Sequence, residues 1–146
     1  MKTTSVQLSL LLLAAVSLLS CRKETVNSAA NVHLLTQASW SYDEFGIDQN
    51  LDGLIDIPEG FEDCAMDDLV KFDTGGSGNF DQGASFCYPD FPQSLPFDWS
   101  FQNNDTQIEY GGTLHTILTL SETQLAIYTE EDNGGSAVRH ILVYRR

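Results

Sequence analysis

The apolar positions of this chain follow two regimes. From Leu8 to Leu19 they run together almost unbroken, whereas from Trp40 onward they mostly alternate with polar ones. The first run, preceded by Lys2, is about a dozen residues long, too short for a bilayer core that needs about 20. Its length and flanks are those of a secretory leader. The sequence turns polar at once with Arg22-Lys23-Glu24, and residues 22 to 33 lack periodicity and hold few large apolar groups. That stretch predicts a flexible tether which, as a random coil, would span roughly 20 Å.

Beyond it the pattern predicts short strands and turns. Ala38 to Tyr42 alternates, and Asp68 to Phe72 is the next apolar strand. The glycine-rich turn Thr74 to Gly78 sends the chain back through Asn79 to Phe86. After a proline-bearing connection from Tyr88 to Pro96, Phe97-Asp98-Trp99-Ser100-Phe101 places three aromatics on one face. Asn103-Asn104-Asp105 is a turn, and Thr106 to Tyr110 begins another strand. Leu114, Thr116, Leu118 and Leu120 are expected on one face of the following strand, and Leu125 and Ile127 on one face of the next. The Asn133-Gly134-Gly135 turn leads into a last strand from Val138 to Tyr144. About eight strands without a long helix predict an all-β antiparallel barrel or sandwich. A small up-and-down barrel is favoured, since closure removes the edges that invite aggregation.

Two resemblances add to this reading. Leu18-Leu19-Ser20-Cys21 resembles the lipobox of bacterial lipoproteins. The resemblance implies a leader over 1–20 and cleavage before Cys21, whose thiol carries diacylglycerol. Residues 21–33 then hold the lipidated cysteine and tether, and 34–146 the domain. Two acyl chains on one residue anchor a protein stably to a membrane. The domain resembles the lipocalin-like domains of small bacterial lipoproteins. The likeness rests on Trp40 in a first strand, on Cys64-Ala65-Met66-Asp67-Asp68 leading into an apolar strand, and on Cys87 after a glycine-rich turn. It extends to the aromatic strand at 97–101 and the Leu120-Ser121 corner. It implies a monomeric barrel taking a small apolar molecule, anchored in the cell envelope at the outer membrane of a Gram-negative bacterium.

Charge narrows the partners. Without the leader, and so without Lys2, six basic residues face 21 acidic ones, a formal charge of −15. Such a surface repels phosphate backbones and excludes nucleic acid as a partner. With Cys21 acylated, Cys64 and Cys87 form an even pair in an oxidising compartment, which predicts a disulfide. Neither has the close second cysteine or histidine of a zinc site.

The sharpest chemical motif is Asp48-Gln49-Asn50-Leu51-Asp52-Gly53-Leu54-Ile55-Asp56-Ile57-Pro58-Glu59. Oxygen side chains at positions 1, 3, 5, 9 and 12, with glycine at 6, match the calcium loop of EF-hands. The D-x-N-x-D-G core is also similar to dockerin and thrombospondin-type loops. The expected ligands are Asp48, Asn50, Asp52, the Leu54 carbonyl, Asp56 through water and Glu59, with Ile55 pinning the loop. Leu51 stands where small or polar residues are usual. An acidic connection whose Asp and Asn residues form solvated turns competes with this reading.

Other chemistry is sparse. His33, His115 and His140 lie far apart, and Asp67-Asp68 and Glu130-Glu131-Asp132 read as solvated turn acids. No nucleophile motif, phosphate loop or paired acid constellation suggests an enzyme. Two functions are therefore expected to compete. One is a surface-presented barrel that binds a small apolar molecule; the other is a calcium-stabilised structural or adhesive protein.

Overall fold

A computed structural model describes residues 26–132 and 134–146. The leader, the lipobox and Cys21 lie outside the described residues. Helix α1 (Val26–Thr36) is followed by strands β1 (Trp40–Asp48) and β2 (Ile57–Glu59) and a short 3-10 turn (Asp63–Ala65). Then come β3 (Leu69–Phe72), β4 (Ser77–Asp81), β5 (Ser94–Gln102) and β6 (Gln107–Tyr110). Strands β7 (Thr113–Leu120), β8 (Gln124–Asp132) and β9 (Ala137–Arg145) complete the chain.

The strands form one antiparallel sheet in which β3 to β9 pair in sequence order. Pairing of β1 with β9, from Ser41↔Arg145 to Asp48↔Arg139, closes the ring. Strands β2 and β3 share the other edge of β1, β3 at Trp40 and Ser41 and β2 from Phe45 to Ile47. The closed circuit therefore runs through eight strands, with β2 clipped beside it. The fold is the all-β, up-and-down barrel that the alternation predicted.

Side chains alternate in and out, with two informative exceptions. Register shifts between Tyr42 and Glu44 in β1, so Tyr42 pairs with Tyr144 but Phe45 with Leu142. The bulge moves the inward face from even to odd positions and turns Asp48 to the outside. A second shift, between Ile117 and Thr119 in β7, corrects the expected stripe. His115, Ile117 and Leu120 pair with the inward Ile108, Ile127 and Leu125, whereas Leu114 and Leu118 face out and are exposed.

The start of β1, the end of β9 and α1 meet at one end of the barrel. Leu35 and Val32 pack onto the core there, Leu35 fully buried. Trp40 Nε1 donates to the Leu35 carbonyl at 2.9 Å. The Arg146 guanidinium lies 3.7 Å from the Trp40 ring centroid and donates to the Leu34 carbonyl. The tether expected over 22–33 is thus helical from Val26. Periodicity does not reveal it because α1 has no broad apolar stripe; among its described residues Val32 and Leu35 pack on the core and Asn31 donates to Asp105 at 3.3 Å.

The hairpin at the same end turns through Asn103, Asn104 and Asp105, all left-handed (φ 51°, 57° and 63°). Asn and Asp are the non-glycine residues that tolerate this conformation best. In β5, Pro96 lies beyond the stretch from Trp99 to Gln102 that pairs with β6. Its missing N–H therefore costs nothing on that side.

Candidate functional site: the open end of the barrel

The two halves of the interior differ. Toward α1, Trp40, Phe72, Ile108, Leu125 and Ile127 are fully buried and close the space. Trp99 is almost as deep; its Nε1 donates to the Ser77 carbonyl at 2.8 Å, and its ring meets Phe72 edge-on at 5.8 Å. Toward the opposite end a cavity of about 380 Å³ opens, lined by inward positions that include Tyr42, Val70, Phe80, Phe97, Tyr110 and Tyr144. A second cavity of about 410 Å³ shares Tyr42 and Phe80 and extends under Phe45, Phe61, Asp68 and Tyr88.

Three tyrosines form the floor. The Tyr110 and Tyr144 hydroxyls are 2.7 Å apart, and the Tyr42 ring stacks on Tyr144 at 5.2 Å. Burial pushes the Tyr42 hydroxyl up to about 12 and raises Tyr110 and Tyr144 as well, so all three are neutral donors and acceptors at physiological pH. His115 stacks on Tyr110 at 4.9 Å, and burial lowers its pKa, favouring neutral imidazole. Phe61 stacks on Tyr42 at 4.8 Å and leans on Phe45, joining the floor to the rim.

The rim is braced covalently and by hydrogen bonds. Cys64 and Cys87 form the expected disulfide, with sulfurs 1.98 Å apart and a sequence separation of 23. It ties the segment before β3 to the connection between β4 and β5. Within that connection Gln82 is buried, and its amide donates to the Pro92 carbonyl at 3.0 Å. Asp67 accepts the N–H groups of Ala84 and Ser85 at 2.7 and 3.1 Å. Asp68 departs from the sequence reading. It is only 6% exposed and lines the cavity, and burial followed by Asp67 and Asp81 raises its pKa.

The acidic motif lies elsewhere, over the outer face of β8 and β9. Ile55 packs against the cluster of Ala126, Ile141 and Val143, pinning the loop as expected but from outside the barrel. Asp48 is fully buried there. Its Oδ2 accepts Gly53 N–H at 2.9 Å and lies 3.8 Å from the Arg139 guanidinium, which also donates to the Leu51 carbonyl. The Asp52 N–H is shared between Asp48 Oδ1 and Asn50 Oδ1, and Leu54 N–H donates to Asp52 Oδ1 at 2.9 Å. Leu51 and Gly53 take left-handed φ values of 64° and 87°, so the chain winds around the first, third and fifth side chains. Asp56 instead accepts N–H groups of Gln49 and Asn50, and Glu59 is exposed in β2 opposite Phe45.

Among the described residues, the one trio of His, Cys, Asp or Glu side chains with ligand atoms within 4.8 Å of each other is Glu62, Cys64 and Cys87. Its sulfurs are joined in the disulfide and offer no thiolates.

The sequence reading did not single out Tyr42, Tyr110 and Tyr144 as site residues. Their signal was the aromatic-polar alternation of β1 and the apolar last strand, but only the barrel brings them together. No family model matches the chain, and no curated protein matches it in sequence.

Proposed function

We propose that the protein is a non-enzymatic binding module that takes a small, largely apolar molecule into the open end of its barrel, presented from a membrane through a lipid on Cys21. The observation that carries this reading is the cavity of about 380 Å³ between the inward faces of opposed strands. It lies within the size range of small-molecule sites, which are mostly apolar with a few convergent polar groups. Here the tyrosine hydroxyls are those groups. The lipocalin-like pattern of the sequence supports the same reading.

The test is a fluorescence titration with phenylnaphthylamine, a neutral apolar probe. The protein should bind it saturably at one site. A Leu95→Trp variant, which fills the cavity wall, should lose that binding while keeping its strand signature in circular dichroism. Absence of saturable binding to the unaltered protein would sink the proposal. For the anchor, mass spectrometry of the membrane-extracted protein should find diacylglycerol on Cys21.

A second ligand, calcium, is supported by the winding of residues 48–54 around Asp48, Asn50 and Asp52. These side chains and the Leu54 carbonyl fit a hard cation that prefers oxygen donors. Asp56 and Glu59 are engaged or placed elsewhere, and Arg139 already compensates part of the charge of Asp48. Calcium would rigidify a surface loop as a structural ligand, independently of the barrel cavity. Calorimetric titration should show saturable binding that an Asp48→Ala/Asp52→Ala variant loses; no heat beyond dilution would reduce the loop to a self-satisfied acidic turn.

A further inference from the structure

We infer that the ligand of the open end is an organic cation, an amine or quaternary ammonium on an apolar body, with its charge beside Asp68 and its body against the aromatic rings. This rests on the binding reading above and specifies its chemistry.

The starting observation is an acid in a mostly buried residue whose carboxylate opens on the cavity without a protein partner. Asp68 precedes β3, and its backbone N–H donates to the Ala65 carbonyl at 3.2 Å. Among the described residues no hydrogen bond or ion pair reaches its carboxylate, although the residue is 94% buried and lines the cavity. Its acidic neighbours are already occupied. Asp67 holds the N–H groups of Ala84 and Ser85, and Asp81 holds Gly83 N–H and the Gln93 amide. A carboxylate partly withdrawn from water with no compensating charge is destabilised, and two acids nearby add to that. The raised pKa of Asp68 reflects the same imbalance.

The surroundings select the sign of the missing charge. Tyr42, Phe45, Phe61, Phe80 and Tyr88 line the cavity together with Asp68 and the rim acid Glu62. No lysine, arginine or histidine lines either cavity at this end. Aromatic faces are negative and attract ammonium groups, most strongly where water is excluded. A fatty acid or other apolar anion would meet carboxylates and ring faces with no cation to receive it. A bare metal ion would find one buried carboxylate among rings that do not ligate it. An organic cation satisfies both the acid and the rings, and the net charge of −14 raises its local concentration.

The test uses benzyltrimethylammonium, titrated calorimetrically and as a competitor of phenylnaphthylamine. The ammonium should bind at one site and displace the neutral probe, whereas phenylacetate should not. Asp68→Asn, which preserves shape and removes charge, should weaken the ammonium about tenfold more than the neutral probe. Tyr88→Leu, at an exposed rim position, should weaken the ammonium several-fold and serves if Asp68→Asn fails to fold. Saturable binding of the neutral probe without ammonium binding would overturn the inference and leave the cavity reading standing. So would an ammonium affinity untouched by both substitutions. Failure of both probes to bind would overturn the two readings together.

Discussion

At the end of the barrel closed by α1, the inward side chains are Trp40, Phe72, Ile108, Leu125 and Ile127, and Leu35 enters from the helix to cover them. At the other end the same strands present Tyr42, Tyr110 and Tyr144, with Asp68 and Phe61 at the margin. An eight-stranded ring is just wide enough to be filled by side chains or to hold one small molecule. This barrel is filled at one end and leaves a cavity at the other. The closed end uses large hydrocarbon groups and lends its indole N–H groups to backbone carbonyls, Trp40 to Leu35 and Trp99 to Ser77. The open end spends its aromatic bulk on rings that carry hydroxyls, and no helix covers it among the described residues. The packed core and the cavity are thus separated along the barrel axis.

This division can be tested by substitution. Trp40→Ala should cost about 3–5 kcal/mol in urea unfolding, because a fully buried ring is lost together with its bond to Leu35. Tyr110→Phe at the open end should cost only about 1 kcal/mol, since it deletes one partly satisfied hydroxyl and leaves the ring. Comparable losses at both ends would break the contrast. Next in size, Cys64→Ser/Cys87→Ser should cost about 3 kcal/mol or less by loop closure, and should loosen the rim. Amide exchange should quicken there before it does at the closed end.

Alkaline pH should act on the open end. In the folded chain Tyr42 titrates near 12, and Tyr110 and Tyr144 are also raised above the ordinary value of 10. The unfolded chain loses these protons first, so their contribution is fully present below about pH 10 and is lost as pH rises through about 12. Urea unfolding at a series of alkaline pH values should show this fall, blunted in Tyr42→Phe. The smallest effect is expected outside the barrel, at the left-handed Leu51. Leu51→Gly should stabilise by less than about 1 kcal/mol, because relief at a positive φ is partly offset by the freedom glycine gains when unfolded.

The closed end was more legible in the sequence than the open one, and the reasons are physical. The alternation of β5 announced Trp99 and Phe101, and the apolar positions of β8 announced Leu125 and Ile127. Each pattern follows from the pleat alone. Leu114 and Leu118 were misplaced because a bulge changes faces without leaving a compositional mark. Helix α1 was hidden because two apolar docking side chains make no periodic stripe. Asp68 looked like its neighbour Asp67, a turn acid. Its surroundings include Cys87 and Tyr88 of a connection remote in sequence, which Asp67 holds at Ala84 and Ser85. The loop at 48–59 shows both outcomes. Its winding around Asp48, Asn50 and Asp52 follows from the glycine and the Asx spacing, but the pairing of Glu59 with Phe45 in β2 depends on a partner strand.

Where a ligand settles in the barrel is the decisive property. The most direct measurement is a two-dimensional NMR titration of the isotopically labelled protein with phenylnaphthylamine. The predicted result is that saturable shifts concentrate at Tyr42, Phe80, Tyr110 and Tyr144, while the Trp40 indole and Leu35 stay unmoved. Shifts spread over the outer face of β7 around Leu114 and Leu118, or perturbation of both ends alike, would contradict it.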